Sequence, residues 1–269
     1  MKYIISCLVV IIVSFAIGAL LTFAVNHLSK NGIKRSIKIL LTVSSAFFLM
    51  LIAVIIFIND YNHARPEANK YLESSDKVTV TKTDFGYFFD GKGEDTAVIF
   101  YPGAKVEGIA YAELLYNIAE SGVDTFLVEM PFRLAFFGVN NADYVLENYQ
   151  YENYYMMGHS AGGVVASSYA AKHDGIKGLI FLASYPNAEI KDKKVLSIYG
   201  TLDGVLNKKE YDKSKAKFPV DYTEVVIDGG NHTQFGCYDL QDGDKVATVT
   251  YEKQQKMTID SIINFLGIW

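Results

Sequence analysis

Two long apolar stretches open the chain, and the pattern then changes character. Residues 4–25 and 39–58 carry no charged side chain and no polar face. Each reaches the roughly 20 residues that a helix needs to cross a bilayer. A core helix of a soluble protein keeps a polar side, so both stretches are predicted to span a membrane. Beyond residue 77 short apolar runs alternate with longer amphipathic ones. Residues 78–89 (broken at Gly86), 96–101, 125–129, 154–157, 177–183, 194–199 and 222–227 read as strands. Residues 106–121, 142–148, 161–173, 208–217 and 250–266 read as helices. The run 96–101 is continuously apolar up to Pro102-Gly103, as in a central strand buried on both faces. Strict alternation predicts an α/β fold with a mostly parallel sheet and helices on both faces. The polar stretch between, residues 59–77 with Arg65-Pro66-Glu67, reads as a linker or short juxtamembrane helix. The plan is a two-helix membrane anchor over 1–58, a juxtamembrane linker over 59–77 and a globular domain over 78–269.

A cleavable signal peptide is the rival reading of the first stretch. Its apolar run exceeds the roughly 7–15 residues of an h-region, and Thr22-Phe23-Ala24 is a marginal cleavage site. Cys7 lies too early in the run for lipid attachment. Charge then orients the pair. Lys30, Lys34, Arg35 and Lys38 lie between or just inside the spans, against Lys2 at the front. Basic loops stay cytoplasmic, which places the globular domain outside the cytoplasm. Of 25 Lys/Arg and 30 Asp/Glu, residues 1–58 hold five basic and no acidic side chains, leaving the rest at −10. Such a surface repels nucleic acid and anionic lipid head groups. Cys237 is the only cysteine of the globular part, so no internal disulfide forms there and no cysteine pair suggests a metal. No cofactor is implied, and nothing in the pattern sets an oligomeric state.

Chemistry enters at Gly158-His159-Ser160-Ala161-Gly162. A buried strand runs into this Gly-x-Ser-x-Gly pattern and a small-residue helix leaves it, the signature of a nucleophile elbow. A serine hydroxyl needs a base within hydrogen-bond reach, itself oriented by a third group. Of the five histidines, His27 and His63 flank the spans, and His173 ends the helix after the elbow. His159 must point away from the nucleophile through the turn. His232 remains, in a Gly-rich loop after a strand, as the general base. Asp203 follows the strand 194–199 in a Gly-Thr-Leu-Asp-Gly turn, where α/β sites gather, and is the orienting acid. Glu189 is the alternative acid. The chain order Ser, Asp, His suits the elbow.

With Phe100-Tyr101-Pro102-Gly103-Ala104, Gly158 to Gly163, Tyr199-Gly200-Thr201-Leu202-Asp203-Gly204, and the Gly229 to Gly236 loop, the chain resembles the α/β-hydrolase superfamily. It is most similar to the small lid-less branch typified by dienelactone hydrolase and to bacterial membrane-anchored hydrolases. The resemblance covers roughly residues 78–269 and excludes the spans. It implies an oxyanion hole built from the backbone N–H groups of Ala104 and Ala161. Only Ser184 to Lys194 separate Ala183 from Val195, too little for a cap domain, so the site is expected to be open. Tyr185 and Pro186 are expected to line the pocket. The stretch 130–138, with Phe132, Arg133, Phe136 and Phe137, reads either as a mobile wall of the site or as a packed surface loop. Arg133 reads either as a receptor for a substrate carboxylate or as a surface group. Asp239, Asp242 and Asp244 faintly suggest Ca²⁺ but lack the EF-hand spacing and read as an acidic turn.

The expected function is a membrane-tethered serine hydrolase acting on a small-molecule ester or related acyl substrate, with the bilayer as its other partner. Thioesterase, peptidase and acyltransferase variants share these residues. The alternative is a non-catalytic membrane-anchored binding or sensor protein on the same scaffold.

Overall fold

A computed structural model describes residues 2–29, 32–93 and 95–268. Lys30, one of the basic residues counted above, lies outside the described residues, as do Met1 and Trp269 at the ends of the expected domains. The chain divides into two compact units, residues 1–60 and 61–269.

The first unit is a helix pair, α1 (Lys2–Leu28) and α2 (Arg35–Asn59). Both are long and apolar enough to cross a membrane. They pack where side chains are small. A Cβ on Gly18 would fall 2.7 Å from Ser45 Oγ and 2.8 Å from the Thr42 carbonyl. Thr22 and Thr42 share a hydroxyl hydrogen bond of 2.9 Å at the same level, the kind of close, polar-assisted seam that holds helices together in lipid.

The second unit is built on eight strands in the order β1-β2-β4-β3-β5-β6-β7-β8. They are β1 (Thr79–Thr83), β2 (Gly86–Asp90), β3 (Thr96–Tyr101), β4 (Asp124–Val128), β5 (Asn153–His159), β6 (Ile176–Leu182), β7 (Lys194–Gly200) and β8 (Thr223–Ile227). β2 is antiparallel to both β1 and β4, and every other pairing is parallel. Parallel strands need crossover connections, and α3 (Ala112–Ala119), α4 (Asp143–Asn148), α5 (Ala161–Ala170) and α6 (Lys208–Ser214) lie in four of them, while residues 183–193 join β6 to β7 without a helix and α7 (Tyr251–Leu266) follows the last strand. Alternation along β3 divides the core between the two faces. Val98 and Phe100 join Leu114, Leu115 and Ile118 of α3 and Ile262 of α7 on one side. Ala97, Ile99 and Tyr101 join Val145 of α4 and Val165, Ala166 and Tyr169 of α5 on the other.

Element types match the sequence pattern, with two shifts of register. The helix expected from residue 106 starts as a tight 3-10 turn, Gly108–Tyr111, and becomes α only at Ala112. The strand before the elbow is longer than 154–157, because Gly158 and His159 still pair with β6. Within residues 59–77 lies a 3-10 helix, Pro66–Leu72. Its approach is bonded to the body: Asn62 N–H donates to Lys105 O at 2.8 Å, and Glu107 N–H returns to Asn62 O at 2.9 Å. Arg65 N–H reaches Cys237 O at 2.8 Å.

Candidate active site

The elbow forms because glycine removes the side chains that would block it. A Cβ on Gly162 would lie 2.1 Å from Tyr101 O and 2.4 Å from Pro102 O, so the helix start can press on the end of β3 only without one. Ser160 takes φ 52° and ψ −125°, a conformation costly to any residue with a Cβ. Its backbone is pinned on both sides. The Ser160 N–H donates to Leu182 O at 2.9 Å, and Ser184 Oγ donates to Ser160 O at 2.6 Å. The side chain is left half-exposed at the C-terminal edge of the sheet.

His232 and Asp203 meet. Nδ1 of His232 lies 2.9 Å from Asp203 Oδ2, with 1% and 2% of the two side chains exposed. A carboxylate at Nδ1 requires the ring proton there and leaves Nε2 with its lone pair. The second oxygen, Asp203 Oδ1, accepts the N–H groups of Val205 at 2.9 Å and Leu206 at 2.7 Å, which fixes the carboxylate in its turn. Nε2 of His232 is buried and has no partner among the described residues. The Ser160 hydroxyl therefore makes no hydrogen bond to it in this structure. Such bonds are often long or misaligned before substrate binds.

Helix α7 holds the histidine loop through two fully or nearly buried glutamines. Gln254 Oε1 accepts Asn231 N–H at 3.0 Å and its Nε2 donates to Asn231 O at 2.8 Å. Gln255 Nε2 donates to Gln234 O at 2.7 Å.

Three contributors were not singled out by sequence reasoning. Asp244, read as a turn acid, ties the two loops together. Its Oδ1 accepts from Gly204 N–H at 2.9 Å and His232 N–H at 3.3 Å, and its Oδ2 accepts the N–H and hydroxyl of Thr233 at 2.8 and 2.7 Å. Burial alone would raise its pKa, but these donors hold the carboxyl below the usual aspartate range. His159 lies against His232, ring centroids 4.4 Å apart. Burial, and then the neighbouring imidazole of His232, push its pKa well down, so it stays neutral beside that ring. Tyr111 bridges behind them: its hydroxyl is 2.8 Å from His159 Nδ1 and accepts the Gly103 N–H at 3.3 Å. Burial raises the Tyr111 pKa and keeps the phenol protonated. The Gly-His-Ser triplet was the only signal for His159, and Tyr111 left none.

Ala161 is the first residue of α5, so its N–H has no intrahelical acceptor. Ala104 follows Gly103 at the start of the turn after β3. Tyr185 is half-buried after β6; burial and then nearby Glu210 raise its pKa. Glu189, the alternative acid, is exposed and pairs with Lys191 at 3.8 Å. Phe132 is 55% exposed. The Arg133 guanidinium lies over the ring of Tyr61, 3.4 Å from its centroid, and Arg133 O accepts the Lys105 N–H at 2.8 Å. A cleft of about 430 Å³ is lined by Phe85, Glu129, Met130, Asn141 and Tyr144 among others and includes none of Ser160, Asp203 or His232. No set of metal-ligating side chains gathers among the described residues.

The fold recurs in solved structures. A "predicted CIB-like hydrolase" from Thermoplasma acidophilum aligns with a TM-score of 0.51 at 15% identity, over 70% of this chain and 99% of its own. A ferulic acid esterase from Streptomyces cinnamoneus aligns with a TM-score of 0.51 at 16% identity, over 64% of this chain and 66% of its own. TT1662 from Thermus thermophilus gives 0.50 at 13%, over 70% and 98%. At these identities the likeness concerns fold alone. No curated protein matches the chain. The model of the family described as "Alpha/beta hydrolase family" matches residues 97–256. That match takes in β3 and the turn after it, the elbow, and both loops that meet at His232, and covers more than half the sequence. The chain thus belongs to the alpha/beta hydrolase family.

Proposed function

We propose that the protein is a membrane-tethered serine hydrolase that cleaves carboxylic esters through an acyl-enzyme on Ser160. The observation that carries this reading is the buried Asp203–His232 pair, whose Nε2 has no partner among the described residues. In the reaction, the Ser160 hydroxyl turns to Nε2, gives up its proton and attacks the ester carbonyl. Asp203 keeps the imidazole in the competent tautomer and stabilises the imidazolium. The oxyanion is received by the N–H groups of Ala104 and Ala161, donors fixed before charge develops. His232 returns the proton to the leaving alkoxide, and the acyl group remains on Oγ. Water, deprotonated by His232, then releases the acid and restores Ser160. Neutral His159 keeps a second positive charge away from the imidazolium. The short β6–β7 connection leaves no room for a cap, which favours small or readily accessible substrates. The apolar helix pair supplies the tether, and its basic connection orients the domain outward.

A fluorophosphonate probe tests the chemistry directly, since only an activated serine is labelled. The wild-type protein should label, and Ser160→Ala and His232→Ala should not. Hydrolysis across short, long and aromatic esters, lactones and thioesters then defines the acyl preference. Undiminished turnover in Ser160→Ala would sink the assignment.

A further inference from the structure

The loop after β4 presents three large aromatic side chains to solvent. Phe132, Phe136 and Phe137 are 55%, 56% and 60% exposed. They form one cluster, with centroids 5.9 Å apart for Phe132–Phe137 and 5.2 Å for Phe136–Phe137. Grouped exposed aromatics on a monomer mark a binding surface. The backbone here is committed to the display. Phe132 and Arg133 both have positive φ, 55° and 58°, a conformation bulky residues avoid. Hydrogen bonds from Arg133 N–H to Met130 O at 2.9 Å and from Leu134 N–H to Pro131 O at 3.0 Å hold it. At the far end of the loop the buried Tyr101 hydroxyl donates to Val139 O at 2.7 Å and accepts the Ala142 N–H at 3.0 Å. The cluster is therefore a fixed feature of the surface.

Chain continuity identifies the occupant. Arg133, inside this loop, stacks on Tyr61. Tyr61 lies two residues beyond the end of α2 at Asn59, a reach of about 7 Å at most. We infer that Phe132, Phe136 and Phe137 insert into the surface of the bilayer that α1 and α2 cross, docking the domain on its own membrane. This rests on the tether read above. The contact is apolar, because the net charge of −10 over residues 59–269 works against anionic lipid. Zwitterionic lipid suffices and added salt leaves the contact in place. Tyr61, with its ring under Arg133, suits the interfacial level where tyrosines gather. Lys105, next to the oxyanion residue Ala104, donates its N–H to Arg133 O, and the Ala135–Phe137 turn packs on α5, the helix that begins at the nucleophile. Docking through this loop thus sets the mouth of the site at the lipid surface.

The test uses the full chain in vesicles of phosphatidylcholine with brominated acyl chains. Its single tryptophan, Trp269, is first replaced by Phe. Phe136→Trp and Phe137→Trp then place the only indole in the cluster. Val220→Trp is the control, fully exposed and preceding β8, five strands from β4 and so about 24 Å across the sheet. The cluster variants should lose most of their emission to the brominated lipid and shift to the blue, at low and high salt alike, while the control does neither. Equal quenching at all three positions, or none, overturns the inference. Shielding from iodide that depends on protein concentration without quenching by lipid means that a second copy covers the patch, and also overturns it. Vesicle flotation and fluorophosphonate labelling of the same samples separate the causes. Flotation lost removes the tether and the docking together. Labelling without quenching removes the docking alone, and quenching without labelling removes the catalytic reading alone.

Discussion

Asp244 joins the Asp203 loop to the His232 loop at Gly204, His232 and Thr233, so one side chain positions two others. Asparagine keeps one acceptor but offers an amide where Oδ2 receives two donors, and hydrogen bonds to a charged acceptor contribute about 1.5–3 kcal/mol each. With Asp244 partly exposed, Asp244→Asn should cost stability nearer the lower figure, and kcat should fall more than KM rises. The sign of the pH effect follows from its depressed pKa. The contribution is fully present above the unfolded value near 3.9 and is lost as pH falls through the lower folded value. Urea titrations of the two proteins should therefore differ by a constant amount from about pH 5 upward and converge in strong acid; a gap that widens with acid would contradict this role. The elbow at Ser160 and the contact between Asp203 and His232 were legible in the sequence because each residue sits in its own turn motif. Asp244 was not, since one aspartate among three around Gly243 carries no sign of what folds back onto it from 40 residues upstream. His159 shows the same limit: its place in the elbow could be read, but its contact with His232 depends on where the last loop lands.

Strands and helices were read within a few residues because buried parallel strands are continuous apolar runs and the helices on their faces are amphipathic. The 3-10 start before α3 was missed, since periodicity does not separate the two helix types over one turn. That turn matters because it carries Tyr111 to the back of Gly103. A Cβ on Gly103 would fall 2.8 Å from His159 Nδ1 and 2.9 Å from the Tyr111 hydroxyl. The β3–α3 turn would have to shift outward and carry Ala104 with it. Gly103→Ala should lower kcat by roughly 10²-fold, the cost of a displaced oxyanion donor, with a smaller effect on KM. Steady-state kinetics on a soluble ester decide this, and an unchanged kcat would show that Ala104 is not a donor.

For the molecule as a whole, the two long apolar helices are legible from length and hydropathy, whereas the sequence leaves the aromatic cluster on the globular body between two readings. Exposure is a tertiary property, and Phe136 in sequence looks no different from buried Phe126. Orientation rests on charge alone. With Lys34, Arg35 and Lys38 near the helix connection, protease added to intact cells, or to protoplasts where a wall intervenes, should digest the body beyond Tyr61. Digestion only after lysis would put the site in the cytoplasm.

The bond pair between Asn62 and the strand-like step at Val106 has a practical side. These residues belong to the body's own wall, bracing the turn that carries Ala104, although in sequence they read as a linker. A soluble fragment starting at residue 61 keeps that brace, and one starting at residue 78 leaves Lys105 O and Glu107 N–H without it. The longer fragment should match the detergent-solubilised whole chain in kcat on a soluble ester, and the shorter should be slower and melt lower. Equal activity in both would mean the brace is dispensable. If the brace matters, any protease that frees this domain by cutting between Asn62 and Pro66 would slow it in the act of release.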